Sequence, residues 1–282
     1  MNSKPLMLSL SLLAGACALA LPAVSHAGNV GYITGQTCSG TGDKTPAIIA
    51  SGNTPVAITS ISPATLAPLS ALLVETCSAY GVNADINNAV HAGMGLVISD
   101  WDPSNNIGTQ LPGAPVISYT NDGCLSDINL PAGSPATNGP GGTLNNTSMD
   151  GGNCSAHGST PTASLPAGVQ VLTTTNDPAR TVSILYSYGS GKVVYAPLPW
   201  SWYLAGGNGE GNVARPGMTA FMTNAVALAA GGGFTTCAAE GFAGPKLILC
   251  KQVCEIPQSP ARLSALIRMY IAAYREDPPC GR

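Results

Sequence analysis

The sequence predicts an α/β fold: a mainly parallel sheet with helices on both faces, a C-terminal hairpin, a long loop insertion and a small disulfide-stapled helical tail. Three observations carry this expectation. The runs ALLVE (71–75) and GLVIS (95–99) are apolar almost throughout, as strands buried on both faces of a parallel sheet are. A helix-like segment over 84–91 separates them, so the order is strand, crossover, strand. Further on, β-rich runs over 181–188 and 192–197 flank Gly189-Ser190-Gly191, a good hairpin turn.

The elements follow in chain order. NVGYIT (29–34) is a short strand ending at Gly35, 45–51 a short helix, and PVAITS (55–60) a second strand. The run 71–75 is the third strand. Asn83 can cap the helix over 84–91, which stops at Gly93, and 95–99 is the fourth strand. Residues 101–167 then break the rhythm. They are rich in Pro, Gly, Asn, Ser and Thr, and only 116–119 reads as a strand. So long an irregular stretch inside a compact domain is usually functional or a decorated insertion. Regular structure resumes at 170–174 and continues through the hairpin. GSGK (189–192) lacks the spacing of a phosphate-binding loop and sits between strands, so it reads as the turn. A helix over 216–230 is ended by Gly231-Gly232-Gly233.

The ends of the chain differ from its middle. Residues 1–27 read as a signal peptide: Lys4 gives the positive start, 6–21 the apolar stretch, and Ser25-His26-Ala27 the small residues before a cut after Ala27. The expected localisation is secreted or periplasmic, with no transmembrane anchor after cleavage. Residues 28–236 form the α/β domain, with the insertion at 101–167. Residues 237–282 form a Cys-rich helical extension, in which basic residues outnumber acidic ones six to four. There Ser259 caps a helix with Pro260 at its first position, and Leu263, Leu266, Ile267, Tyr270, Ile271 and Tyr274 recur at helical spacing. That helix either docks on its own small unit or offers a partner surface.

With the signal removed, eight cysteines remain: Cys38, Cys77, Cys124, Cys154, Cys237, Cys250, Cys254 and Cys280. An even count in an exported chain implies disulfides, whose connectivity the sequence alone leaves open. We expect Cys124–Cys154 to close a loop and the last four to pair among themselves. A zinc site of Cys237, Cys250, Cys254 and Cys280 is the competing reading; oxidation opposes it and no His lies nearby. No metal and no cofactor is expected. Only 9% of residues are charged and the net charge is −3, which disfavours a nucleic acid held by a basic surface.

The segments GLVISDW (95–101), GKVVYAP (191–197) and WSWY (200–203) resemble the class I glutamine amidotransferase-like superfamily, in particular its ThuA-like branch and related uncharacterised secreted bacterial proteins. NGPGG (138–142), DGG (150–152) and SAHG (155–158) are similar to segments of those secreted proteins. The resemblance covers about residues 29–231 and implies a flavodoxin-like or amidotransferase-like architecture. It also implies a nucleophilic Cys on a turn after a strand, with a His and a Glu further on. The matching turn here is Ser99-Asp100, without Cys and without a Gly-x-Cys-x-Gly, and no His-x-Glu pair is present. Glutamine amidotransfer is therefore disfavoured.

Ligands of open α/β sheets bind beyond the carboxyl ends of the strands. That rule gathers Gly35-Gln36-Thr37, Glu75-Thr76 and Asp100-Trp101-Asp102, with Trp200, Trp202, Tyr203, Asp150 and His157 nearby. Two function classes follow. The first is a non-catalytic extracytoplasmic module that binds an unknown ligand, a carbohydrate or a protein, through Trp101, Asp102, Asp150, Trp200, Trp202 and Tyr203, since exposed aromatics stack on sugars or anchor partners. The second is a hydrolase acting on a glycan, ester or amide through Ser99, Asp100 and His157. Ser99 lacks the Gly-x-Ser-x-Gly elbow of such enzymes. His91 ends a helix, where a cation suits the dipole, and reads as structural.

Overall fold

The computed structural model describes residues 28–34, 42–76, 84–103, 107–151, 154–206, 211–231, 243–254 and 260–275. The signal segment, Gly35-Gln36-Thr37, Cys38, Cys77, Asn83, Gly152, Gly232-Gly233, Cys237, Ser259 and Cys280 lie outside them, as does the side chain of Cys254.

The N-terminal half alternates strand and helix: β1 (Asn29–Ile33), α1 (Thr45–Ala50), β2 (Thr54–Ile58), α2 (Pro63–Leu66), β3 (Ala71–Thr76), α3 (Ala84–Ala92) and β4 (Gly95–Asp100). The short helix α2 has no apolar periodicity to announce it. Its start is fixed by Ser62, whose hydroxyl accepts from the Thr65 N–H while the Thr65 hydroxyl accepts from the Ser62 N–H. Next come β5 (Thr120–Leu125), the tiny hairpin β6 (Asn138–Gly139) and β7 (Gly142–Thr143), β8 (Ala156–Pro161), β9 (Gln170–Thr174), β10 (Arg180–Tyr188) and β11 (Gly191–Ala196). The chain ends in α4 (Trp200–Leu204), α5 (Gly211–Ala229), α6 (Gly244–Cys254) and α7 (Pro260–Tyr274). Among the described residues no helix is long and apolar enough to cross a membrane.

Nine strands form one sheet in the order β2-β1-β3-β4-β11-β10-β8-β5, with β9 also paired to β10. The five from β2 to β11 are parallel, while β10, β9, β8 and β5 join antiparallel. Two sequence expectations are corrected here. The sheet is mixed rather than mainly parallel, and the segment 101–167 is not a loop, because it supplies two strands of that sheet. Residues 116–119 are not a strand; pairing starts at Thr120. The reason is composition. TNDGCL and AHGSTP carry no apolar alternation to mark them as strands: β5 is exposed along most of its length, and β8 is buried although its side chains are mostly polar or small. At the opposite border β2 carries Pro55, and β5 is interrupted by a register shift between Asn121 and Leu125.

Side-chain alternation splits the apolar residues into two layers. Ala71, Leu73, Val97, Val194 and Ala196 face the layer of α1 and α5, with Ile48, Phe221 and Val226. Leu72, Val74, Leu96, Ile98, Val193 and Tyr195 face α2 and α3, with Leu66, Ile86 and Val90. The insertion adds Ile128, Leu144 and Met149 to the first layer, and Ile107, Ile117 and Tyr119 to the second. In the tail, Cys250 and Val253 of α6 meet Leu266 and Tyr270 of α7 in a cluster of their own.

Helix α5 starts earlier than expected, so Pro216 lies inside it. Only one early backbone bond, to residue 212, is lost there. The adjacent Gly217 has a stronger constraint: a Cβ on it would lie 1.7 Å from the carbonyl oxygen of Ser148. Gly→Ala inside a helix normally gains about 1 kcal/mol. Here the clash with backbone reverses the sign, and Gly217→Ala should lose about 1–3 kcal/mol. Urea unfolding of the variant checks this, and a gain in stability would show that the insertion does not pack on α5 as described.

Candidate functional site

Strands β3, β4 and β11 run side by side, in register at Glu75, Ser99 and Ala196. Their carboxyl ends bring together the residues that sequence reasoning selected. Alternation sends Glu75 and Ser99 toward the α1/α5 layer and Asp100 toward the α2/α3 layer. Ser99 and Asp100 therefore sit on opposite faces of the sheet.

Each is engaged internally. Ser99 is buried; its hydroxyl donates to the Leu198 carbonyl at 2.6 Å and accepts from the Trp200 N–H at 3.4 Å. Asp100 is buried as well, accepting from the Tyr195 hydroxyl at 2.8 Å and from the Asp102 N–H at 3.1 Å. Burial first, and the Asp100 carboxylate second, push the Tyr119 and Tyr195 phenols above their ordinary range, so both stay protonated. Tyr119 donates to the Val182 carbonyl at 2.8 Å and packs its ring edge-on to Tyr195. Trp200 and Tyr203 are core residues, with Trp200 near Phe221 at 6.1 Å between centroids. Asp150 is half-buried and accepts from the Ile128 N–H at 2.8 Å; burial raises its carboxyl above the usual range, and that hydrogen bond opposes the shift.

On the same face as Ser99 lies a cluster whose partners the sequence did not single out. Glu75 accepts from the Ser201 N–H at 3.0 Å and from the Ser201 hydroxyl, and pairs with Lys44 at 2.9 Å. Lys44, Glu75 and Ser201 are all buried. Lys44 immediately precedes α1, and Ser201 lies in the first turn of α4, so this buried ion pair ties two helices to the end of β3. Glu75 is the one acid in its apolar strand, which is the sequence signal that a partner must exist. Nothing in the sequence pairs it with Lys44.

The surface beyond Asp100 is different. Trp101 is half-buried and stacks on His157 with ring centroids 4.2 Å apart; Trp202, also half-buried, has its ring centroid 6.2 Å from that of Trp101. Asp102, half-buried, accepts from the side-chain amide of exposed Asn121 on β5. His157 is placed by β8, whose backbone N–H there donates to the Pro197 carbonyl at 2.9 Å. Its ring is buried, its Nε2 has no hydrogen-bond partner, and burial holds the imidazole below its ordinary pKa against the pull of Asp102. No hydrogen bond joins it to Ser99 or Asp150. The expected Cys124–Cys154 disulfide is present beside it, with Cα atoms 4.2 Å apart, and Cys250 is also disulfide-bonded. Of the expected site residues, then, the fold gathers Trp101, Asp102 and Trp202 at one surface, and places Ser99, Asp100, His157, Trp200 and Tyr203 beneath it, with His157 against Trp101.

No family model matches the sequence, and no curated protein sequence does. Among solved structures the chain is similar to the β-galactosidase from Rahnella sp. R3, at 16% identity over 71% of this chain and 31% of that chain, with a TM-score of 0.43. It is similar to a ThuA-like protein from Parabacteroides merdae, at 14% identity over 73% of this chain and 91% of that one, TM-score 0.38. A GMP synthase-like protein from Thermoplasma acidophilum gives 9% identity over 72% and 96%, TM-score 0.39. The chain spans about a third of the β-galactosidase it matches. ThuA-like and GMP synthase-like proteins are thus among the structural neighbours of this mixed α/β chain.

Proposed function

We propose that this chain is an exported, non-catalytic binding module on an amidotransferase-like, flavodoxin-like domain, and that it seats a carbohydrate on the surface formed by Trp101 and Trp202, with buried His157 backing Trp101. The observation that carries the reading is the aromatic shelf itself: Trp101 stacked on His157 and flanked by Trp202, with the Asp102 carboxylate held by Asn121 at its border. Half-buried indole faces take the apolar face of a sugar ring, and a neighbouring carboxylate and amide accept and donate to its hydroxyls. The hydroxyl that a hydrolase would use, that of Ser99, is buried and committed to Leu198. The shelf lies beyond the carboxyl ends of parallel strands, where open sheets receive ligands.

The mature chain on a glycan array, followed by calorimetry on the best glycan, tests this. Trp101→Ala and Trp202→Ala should each weaken binding by up to roughly tenfold, the worth of one stacked ring. Unchanged affinity in both variants would remove the shelf from the site. Turnover of an ester, amide or glycoside that disappears in Asp100→Asn would instead favour the hydrolytic alternative through Ser99, Asp100 and His157.

A further inference from the structure

The Cys124–Cys154 disulfide and His157 form the one group of metal-type donors found together among the described residues, with one ligand atom from each within 4.8 Å of the others. A zinc ion with bonds of about 2.3 Å to sulfur and about 2.0 Å to nitrogen needs its donors roughly 3.5–3.8 Å apart. Small side-chain rotations bridge that difference once the sulfurs are no longer bonded to each other. A second observation points to a ligand. The His157 Nε2 is buried and unpartnered, although a buried ring nitrogen ordinarily has a hydrogen-bond partner. Cys124 is exposed and Cys154 half-buried, so a reductant reaches the bond from solvent.

We propose that reduction of Cys124–Cys154 converts this corner of β5 and β8 into a Cys2His site for a thiophilic divalent cation of the zinc type. The reductant is a dithiol. Its thiolate attacks the Cys124 sulfur, the Cys124–Cys154 bond breaks, and the dithiol's second sulfur releases Cys124 while closing its own disulfide. Two electrons and two protons pass to the protein, leaving two thiols. The cation then displaces those two protons and takes the lone pair of neutral His157, with water in the fourth position. Because the His157 ring stacks on Trp101, occupation of the site is coupled to the aromatic shelf.

The full mature chain is reduced with a dithiol, desalted without oxygen and titrated with Zn2+ and, as a spectroscopic probe, Co2+. Metal content is read by native mass spectrometry. Far-UV circular dichroism confirms that the reduced chain keeps its fold. The reduced protein should bind one equivalent more than both the oxidised protein and the reduced double variant Cys124→Ser/Cys154→Ser, which keeps the remaining cysteines. Co2+ should give a thiolate charge-transfer band and quench Trp101 fluorescence, with Trp101→Phe identifying that signal. His157→Gln should weaken binding at least tenfold while both thiols stay titratable. Equal metal in reduced wild type and double variant overturns the proposal. So does affinity unchanged in His157→Gln, or a bridge that yields only when the fold is lost. Glycan binding to the oxidised chain is measured separately, so failure here leaves the shelf reading standing.

Discussion

Glu75→Ala should destabilise the protein by about 3–5 kcal/mol, the usual consequence of removing one partner of a buried ion pair. Both side chains are almost sealed from water, at 8% exposure for Lys44 and 3% for Glu75. The variant strands the Lys44 ammonium and leaves the Ser201 N–H and hydroxyl without their acceptor. Glu75→Gln should also be costly, because it preserves shape and the contact to Ser201 but not the charge opposite Lys44. Replacing both members, Lys44→Met with Glu75→Met, should recover most of the loss, since an apolar pair of similar volume is often as stable as a buried salt bridge. Urea unfolding of the three variants at neutral pH decides this. A loss below about 1 kcal/mol in Glu75→Ala would mean that Lys44 finds water or another acceptor.

Cys124→Ser combined with Cys154→Ser should cost about 3–4 kcal/mol, the loop-closure entropy for a sequence separation of 30. The closed segment is not idle chain: Ile128, Leu130, Leu144 and Met149 sit in the same apolar layer as α5. Those contacts hold the segment in place in the folded variant, so the effect falls on the unfolded ensemble, which becomes more expanded. The unfolding midpoint should drop and the denaturant dependence steepen. A typical total stability of about 5–15 kcal/mol leaves the variant folded. A loss under about 1 kcal/mol would show that the unfolded chain keeps the ends of this loop together without the bond.

Legibility in the sequence followed one rule: elements that bury their own apolar side chains could be read, and elements held by partners could not. ALLVE and GLVIS declared β3 and β4, and the glycine turn declared the β10–β11 hairpin, because each carries its burial in its composition. β5 and β8 carry polar and small residues, and their place in the sheet depends on strands distant in sequence. The site divides the same way. The strand-end rule selects Trp101, Asp102 and Trp202, which reach one surface, and His157, which is buried against Trp101. The same rule selected Ser99 and Asp100, but strand alternation turns them to opposite faces and into the interior. The short helix α4 buries Trp200 and Tyr203 fully and Trp202 only in part, a division that follows from WSWY being helical. Lys44 and Asn121 gave no signal of their own, since each matters only through a partner brought close by folding.

Two border strands of the sheet, β2 and β5, have a consequence for behaviour at high concentration. A straight border strand with free N–H and C=O groups is a template on which a second molecule adds its own strand, the route to edge-to-edge aggregation. Pro55 removes a donor from β2, and at β5 the broken register, the polar stretch Thr120–Leu125 and the covalent bridge at Cys124 interrupt the other rim. Two rims of this nine-stranded sheet are thereby poor templates for a further strand, without the sheet being curled into a barrel.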